Sequence, residues 1–277
     1  MTTIALFGAG GKIGFRCVEN LKDAPYKMLY LEVSSAGIER LAREGLSVTP
    51  QDRALRDAEV VILAVPDNLI GSLAREIAPG LRPSTMIIVL DAAVAYAGGL
   101  PARSDISCFV AHPCHPAFPI AENDPEARKD FFGGNKARQN IVCSLMRGPE
   151  SHYATGEAIC RRVFAPVAVA HRLEVEQIAM LEPALAETVS ATCIVAIHEA
   201  MNEVIRRGVP AQVARDFILG HINVSVATVF GMVDAEFSDG CKLTIRRAQR
   251  RIFRPDWKEV FEKENIRTEC MAIAENA

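Results

Sequence analysis

The sequence predicts an α/β protein, a doubly wound parallel sheet followed by an all-helical C-terminal domain, and three observations support this. A short apolar run with strand character, residues 4–7, leads into a glycine-rich turn and then a helical pattern. Further apolar runs of strand length alternate with helical segments, as in a parallel sheet that is covered on both faces. After about residue 171 the pattern is helical only. We therefore expect domains at residues 1–171 and 172–277.

The glycine-rich turn reads GAGGKIG over residues 8–14 and follows the first strand directly. A strand, a glycine turn and a helix in this order bind the pyrophosphate of a dinucleotide, because glycines let the backbone approach the phosphates and N–H groups at the helix start attract the anion. The third glycine comes one residue later than in G-x-G-x-x-G, so the spacing satisfies the variant G-x-x-G-x-x-G. This turn predicts a Rossmann domain. The expected cofactor contacts within it are Gly8, Gly10, Gly11, Lys12, Ile13 and Gly14.

Residues 28–31 read as the second strand, and Glu32 stands at its end. An acidic residue about 20 residues beyond the glycines accepts hydrogen bonds from the hydroxyls of the adenosine ribose. A carboxylate at this position repels a 2′-phosphate, and no arginine directly follows Glu32 to offset the repulsion. The sequence therefore favours NAD over NADP. The alternative is a solvated glutamate at the end of a strand.

The composition indicates a soluble enzyme. The 277 residues carry a net charge of −3 and 49% are hydrophobic, which does not predict nucleic acid or an anionic membrane as a partner. The basic run at 246–251 reads as a solvated helix face or a subunit contact. We expect no stretch of transmembrane length and no signal peptide. Eight cysteines without C-x-x-C pairs predict reduced thiols and a cytoplasmic protein.

Polar residues follow the later strands, where ligands of doubly wound sheets bind. The further strands are expected at 60–65, 86–90, 108–111, 141–145 and 167–169, with a helix at 153–163. Pro66 and Asp67 follow the first of these and are expected to lie against the cofactor. Asp91 ends the next strand, and His112 comes first after the third. We therefore expect the chemistry at this end of the sheet.

Residues 111–116 read AHPCHP, a stiff loop that carries two imidazoles. Each proline restricts the residue before it, so both histidines are expected to be extended. His112 could take the hydroxyl proton as hydride leaves, or join a carboxylate in binding a metal that polarises the alcohol oxygen. The spacing does not by itself identify a metal site. His115 is a second candidate, with loop hydrogen bonding as the alternative, and nothing marks Cys114 as a nucleophile.

The C-terminal half contains one long helical pattern at 174–207, interrupted only by Pro183, with further helices expected at 211–232 and 256–273. Because proline cannot donate a backbone hydrogen bond, the helix should bend there and could turn Glu182 into the cleft between domains. Capping or solvation of Glu182 is the alternative. A long apolar helix is hard to bury in so small a domain, which predicts a homodimer through the helical domain.

Four further residues are weaker candidates. His221 and Asn223 could reach the cleft from the partner subunit and meet the substrate. Residues 133–136 read as a mobile loop near the cleft, where Lys136 or Arg138 could meet an anionic substrate.

The layout resembles the NAD(P)-dependent superfamily that includes 6-phosphogluconate, prephenate and β-hydroxyacid dehydrogenases. Within it, the D-apionate oxidoisomerase family is the one that the motifs resemble together, over nearly the full length. Those motifs are GAGGKIG at 8–14, PDN at 66–68, DAA at 91–93, HPCHP at 112–116, LEP at 181–183 and GHIN at 220–223. Residues 117–119 depart from the family pattern.

The resemblance implies oxidation of the 2-hydroxyl of a branched sugar acid by NAD, coupled to carboxylate migration that gives 3-oxo-isoapionate. A divalent metal would suit the second step, and by analogy His112 and Glu182 are its expected ligands. Zinc is the first choice, with magnesium or calcium open. Three alternatives stay open: a simple 2- or 3-hydroxyacid dehydrogenase without a metal, a prephenate-dehydrogenase-like enzyme, and a non-enzymatic NADH sensor.

Overall fold

Seven strands form a single sheet in the computed structural model, which describes residues 1–276. In chain order, β1 to β7 are Thr3–Phe7, Lys27–Leu31, Val60–Leu63, Met86–Val89, Ser107–Pro113, Gln139–Arg147 and Val167–Arg172. Their order across the sheet is β2-β1-β3-β4-β5-β6-β7. Each predicted strand is present, and strands β1 to β5 are parallel to one another.

Helices pack on the sheet and bury its central strands. The helices α1 to α7 are Lys12–Leu21, Ser35–Arg43, Gln51–Asp57, Asp67–Ile77, Ala93–Tyr96, Ser151–Val163 and Val175–Ala179. All residues of β1, β3 and β4 are buried, which explains why these strands are continuous apolar runs in the sequence. The predicted α/β class is confirmed.

The order of the strands reverses beside β1, which pairs with β2 on one side and with β3 on the other. In doubly wound sheets, ligands bind beyond the carboxyl ends of the strands at such a reversal. Gly8 follows β1 directly, and Pro66 precedes α4, the helix that comes after β3. The topology therefore places the predicted cofactor residues at the switch point.

The last two strands run against the others. β6 is antiparallel to β5, and β7 is parallel to β6, so the sheet is mostly but not wholly parallel. A parallel return would need a crossover, usually a helix, on one face of the sheet. The connection 114–138 contains only a 3₁₀ turn at Ala127–Lys129, so the chain returns antiparallel instead.

The helical run after β7 is continuous. α7 passes through a π-helical segment, Met180–Ala191, into α8, Thr192–Arg206. The expected bend at Pro183 takes the form of this π-helical segment, which accommodates a residue that cannot donate to the carbonyl one turn earlier. By length and composition alone, the run Val175–Arg206 could cross a membrane. The expectation that no stretch reaches that length is corrected, because the helical run continues through Pro183.

The remaining helices are α9 to α11, at Ala211–Val229, Asp239–Ile252 and Lys263–Asn276. The helix expected at 256–273 is instead a 3₁₀ turn, Trp257–Phe261, followed by α11. α10 carries the basic run and extends beyond it at its N-terminal end, where no separate helix was predicted.

The chain divides into two compact units. The first comprises Met1–Pro183 and the segment from Ile266, and the second is Ala184–Asn265. In the second unit, α8 and α10 contain no buried residue, and Ala214 is the buried residue of α9. The predicted domain boundary between residues 171 and 172 stays a prediction.

Candidate active site

The glycine turn leaves no space for side chains at three positions. Gly8 has a φ of +73°, and a Cβ there would overlap the carbonyl oxygen of Ala64. A Cβ at Gly14 would overlap the carbonyl oxygen of Gly8, and one at Gly10 would overlap the backbone of Gly37. In this glycine cradle the turn packs against the protein's own backbone at three positions, in a tight course that only glycine allows.

Gly11 differs from these three, because the nearest atom to a Cβ built there is the Gly8 carbonyl oxygen at 3.2 Å. Gly11 is the N-cap of α1, and its extended backbone leads into the first helical turn. The close approaches therefore involve Gly8, Gly10 and Gly14, whereas the sequence spacing emphasised Gly8, Gly11 and Gly14.

The Glu32 carboxylate accepts a hydrogen bond from the glycine turn. Its Oε2 accepts the N–H of Gly10 at 2.8 Å, and its Oε1 accepts the N–H groups of Val33 and Ser34 and the Ser34 hydroxyl, each at 2.9 Å. Burial raises the pKa of Glu32, but these hydrogen bonds outweigh it and lower the pKa below its ordinary value. The carboxylate thus connects the turn to the N-terminus of α2. A contact with ribose stays a prediction.

Three titratable side chains meet at the carboxyl ends of β4 and β5. Asp91, His112 and Glu182 each offer one ligand atom, and these atoms all lie within 4.8 Å of one another. His112 Nε2 lies 3.7 Å from Glu182 Oε1, and His112 Nδ1 lies 3.8 Å from Asp91 Oδ2. The exposed fraction of the side chain is 20% for His112, 18% for Asp91 and 16% for Glu182. The structure thus brings the two predicted metal ligands together.

Asp91 is the member of this cluster that sequence reasoning did not assign as a ligand. It follows β4, the neighbour of the strand that carries His112, and this adjacency was the available signal. Its Oδ1 accepts the N–H of Ala93 at 2.6 Å, at the start of α5. Asp91 therefore has a fixed orientation within the cluster.

The backbone sets the tautomer of His112. A carbonyl only accepts, so Nδ1–H donates to the Leu90 carbonyl at 3.0 Å and Nε2 keeps its lone pair on the side of Glu182. Burial lowers the pKa of His112, although Asp91 and the Leu90 carbonyl act in the opposite direction. A neutral imidazole with its other nitrogen bound to a backbone carbonyl is the usual form of a metal-binding histidine.

The donor set fits a divalent cation. Metal–ligand bonds of about 2.0–2.6 Å place the ligand atoms of one ion within about 5 Å of each other, which the cluster satisfies. Two carboxylates and one imidazole suit zinc, and a harder cation with additional water ligands is also compatible. His115 does not belong to this cluster among the residues that the structure describes.

His115 lies beside His112 in a strained conformation. The ring centroids are 6.1 Å apart with the planes at 90°, and the Nδ1 of His115 binds the Phe132 carbonyl at 2.8 Å. Its φ is +58°, so the expectation that both histidines are extended is wrong for His115. The contact with Phe132 accompanies a backbone that a residue before proline rarely adopts.

The other predicted residues of the first unit lie around this end of the sheet. Asp67 begins α4, and burial and the charge of Asp91 both raise its pKa, so the two carboxyls are close. Ile13 is exposed on α1. Lys136 Nζ lies 3.9 Å from Asp124 Oδ2, and the backbone N–H of Arg138 donates to Glu122.

His221 and Asn223 lie on α9, in the second unit. The His221 ring stacks on Phe217 at 3.9 Å between centroids, and its Nδ1 binds the Phe217 carbonyl at 2.7 Å. Their reach to the substrate stays a prediction.

A cavity of about 390 Å³ opens at the opposite end of the sheet. Thr2, Glu59 and Thr85 line it, and each directly precedes a strand. Ligands of this fold bind beyond the carboxyl ends of strands. The cavity is therefore separate from the glycine turn and the metal-ligand cluster.

Known proteins of the same layout are closely similar to this chain. A family model described as phosphogluconate dehydrogenase (decarboxylating) C-term matches residues 120–274. The D-apionate oxidoisomerase of Rhizobium rhizogenes is 51% identical over 274 residues, covering 99% of this chain and 100% of that protein. The D-apionate oxidoisomerase of Cupriavidus necator is 49% identical over 264 residues, covering 95% and 96%. The chain belongs to the D-apionate oxidoisomerase family.

A solved structure is similar to this chain over nearly its full length. It is described as a semialdehyde dehydrogenase NAD-binding protein from Cupriavidus necator in complex with calcium and NAD. It superposes with a TM-score of 0.96 at 48% identity and covers 99% of each chain. The resemblance inferred from the motifs, from the glycine turn to GHIN, is confirmed for this member of the D-apionate oxidoisomerase family.

Proposed function

We propose that this protein is an NAD-dependent oxidoreductase that oxidises the 2-hydroxyl of D-apionate and rearranges its carbon skeleton to 3-oxo-isoapionate, in carbohydrate catabolism. The observation that carries the proposal is the cluster of Asp91, His112 and Glu182 beside the carboxyl ends of β4 and β5, in the same sheet whose first strand leads into the glycine turn. The D-apionate oxidoisomerases of the same family support the substrate.

The glycine cradle would hold the cofactor. Gly8, Gly10 and Gly14 give the turn its tight course, and the N–H groups at the N-terminus of α1 beside it would attract the pyrophosphate. Bound NAD accepts the hydride that leaves the carbinol carbon. Glu32 carries the negative charge that disfavours a 2′-phosphate, and the calcium and NAD in the related structure support both cofactor types.

Asp91, His112 and Glu182 would hold a divalent cation, which polarises the substrate hydroxyl and stabilises negative charge on adjacent oxygens. The ligand set is compatible with zinc, our first choice, and the calcium in the related structure supports testing calcium and magnesium beside it. The role of orienting the sugar acid is proposed for His115, and the contact of its ring with that of His112 supports this role.

The test is to incubate the purified protein with NAD and D-apionate, with and without a chelator, while NADH absorbance is followed and the product is identified by NMR. Chelator-sensitive NADH formation with a rearranged skeleton is the expected result. Two samples of D-apionate, labelled with ¹³C at the carboxyl carbon or at a hydroxymethyl carbon of the tertiary carbinol, would identify which group changes its carbon neighbour in the product. Chelator-insensitive NADH formation without rearrangement would instead establish a simple hydroxyacid dehydrogenase with His112 as base.

We also propose a homodimer formed through the second unit, whose helices bury almost none of their own apolar residues. Val213, Phe217 and Val224 share one face of α9 and are each more than half exposed. A unit with so small a core needs a partner that covers its exposed apolar side chains. A second copy of the same chain is available as that partner whenever the protein is made. The cytoplasm is the proposed location, which the eight free thiols support.

A further inference from the structure

One face of the helix that begins at the glycine turn contacts the loop after β5. Lys12, Arg16 and Asn20 are spaced four residues apart on α1 and therefore share that face. Lys12 Nζ lies 4.9 Å from the centroid of the Phe132 ring, and Asn20 donates to the Gly134 carbonyl at 2.9 Å. Arg16 packs so close to Gly134 that a Cβ there would lie 2.7 Å from Arg16 Cδ.

Residues 130–137, which we call the bridging loop, have a fixed shape of their own. Asp130 Oδ2 accepts the backbone N–H groups of Asn135, Lys136 and Ala137 at 3.2, 2.8 and 3.1 Å. Gly133 and Gly134 have φ values of +69° and +80°, which residues that carry a side chain rarely adopt. The bridging loop is therefore a built structure that is attached along the length of α1, and the expectation of a mobile loop at 133–136 finds no support in these contacts.

Phe132 joins this loop to the metal-ligand cluster. Its carbonyl accepts the hydrogen bond from His115, and the two rings meet edge to face with centroids 6.1 Å apart. His115 in turn meets the ring of His112. Phe132 thus contacts Lys12 with its ring and His115 with both its ring and its carbonyl.

Lys12 is an unusual residue at the start of a helix. A positive charge at a helix N-terminus opposes the helix dipole, and the first turn of α1 has no acidic residue to balance it. A bound phosphate would reverse that penalty. The face of an aromatic ring attracts a cation, so Phe132 holds Lys12 when no anion is bound, and an anion at the turn competes with the ring for the lysine.

From these contacts we infer that Phe132 is a positioning residue that links occupancy of the dinucleotide site to the orientation of His115, so that the bound cofactor prepares the site for the sugar acid. The inference rests on the proposed function, in which the glycine turn binds NAD and the cluster acts on D-apionate. Its distinctive consequence is a change at His115 caused by the cofactor alone.

The experiment uses the zinc-loaded protein labelled with ¹⁵N in its six histidines. Its imidazole spectrum is recorded with and without NADH, and the His115 signal is assigned by its loss in His115→Asn. NADH should shift this signal in the wild type and in Phe132→Tyr, which keeps the aromatic ring. Phe132→Leu should lose most of the shift. Phe131→Leu is the matched control, because Phe131 is 71% exposed and its ring has no aromatic or cation contact among the described residues.

Calorimetry of D-apionate binding adds a second readout. NADH is already reduced and cannot accept a hydride, so the binding of D-apionate is measured without its oxidation. Saturating NADH should tighten D-apionate binding about fivefold or more in the wild type and in Phe131→Leu, but less than about twofold in Phe132→Leu. Equal behaviour of the Phe131 and Phe132 variants, or no His115 shift in a wild type that binds NADH, would overturn the inference alone. Failure of the wild type to bind NADH would overturn the proposed function with it.

Discussion

His112 Nε2 faces Glu182 Oε1 across 3.7 Å, and the other ring nitrogen of His112 is held by the Leu90 carbonyl. The two residues come from the end of a strand and from a π-helical segment of the same unit. Because Nδ1 is already bound to the backbone, Nε2 is the atom available for a cation shared with Glu182 and Asp91.

Removing any one ligand of the cluster should release the metal. His112→Ala, Asp91→Asn and Glu182→Gln are each expected to weaken metal affinity by more than the roughly 10–100-fold that losing an outer-shell partner costs. Metal content after dialysis, measured by mass spectrometry on protein with an unchanged circular dichroism spectrum, checks this. His171→Ala, on the exposed edge of β7, is the control and should keep its metal. Full metal content in all three variants would contradict the assignment.

Alanine at Gly14 should disrupt the fold, whereas alanine at Gly11 should not. A Cβ at Gly14 overlaps the Gly8 carbonyl, a clash with backbone that we expect to cost about 1–3 kcal/mol or more. At Gly11 the nearest atom, the Gly8 carbonyl oxygen, is 3.2 Å away, a tight contact that a shift of a few tenths of an ångström relieves, so the melting temperature should fall less than in Gly14→Ala while NADH affinity also falls. Thermal unfolding and NADH fluorescence titration measure the two effects, and equal destabilisation by both variants would refute the cradle geometry.

The stabilising effect of Glu32 should depend on pH. Its folded-state pKa lies below the ordinary glutamate value of 4.5, so its contribution is present above that pH and is lost as the pH falls through the folded pKa. Glu32→Gln should therefore melt at a lower temperature than the wild type at pH 7, and the difference should shrink below about pH 4.5. Glu39→Gln, an exposed pair partner of Arg43, should match the wild type throughout.

Glu32 should also set the choice of cofactor. The wild type is expected to use NAD with a higher kcat/KM than NADP, and Glu32→Gln should narrow the ratio by about tenfold, or ~1.4 kcal/mol, since the repulsion of the 2′-phosphate is removed. Steady-state kinetics with both cofactors measure it. A wild type that prefers NADP would exclude this role.

A charge on the exposed face of α9 should dissociate the homodimer. Val224 is 61% exposed within the chain and shares its face with Phe217, so Val224→Asp would place a carboxylate in the proposed apolar interface. Light scattering coupled to size exclusion should show a shift from dimer to monomer or loss of folded protein. Ile38→Asp, on α2 of the first unit, should leave the dimer intact. A monomeric wild type would end the proposal.

Local patterns in the sequence were sufficient to predict the strands and the glycine turn. A buried parallel strand must be apolar throughout, as 60–63 and 86–89 are, and the turn must carry glycine where the backbone approaches itself. The stacking of Gly37 against Gly10 could not be predicted in this way, because it joins two turns that are distant in sequence.

The candidate site was predictable only in part for the same reason. His112 and Glu182 were recognisable from the family motifs around them, but the place of Asp91 beside them depends on the register of β4 against β5. The left-handed backbone of His115 depends on a hydrogen bond to Phe132, which no local rule for a residue before proline contains.

The antiparallel return of β6 has a consequence for how this family can diversify. A connection that does not have to carry a crossover helix over the sheet has no fixed length, so insertions or deletions between 114 and 138 leave the strand order intact. The same stretch holds His115 and reaches the cofactor helix. A change in this one connection can therefore alter the surroundings of His115 while the strand order that positions the glycine turn is kept.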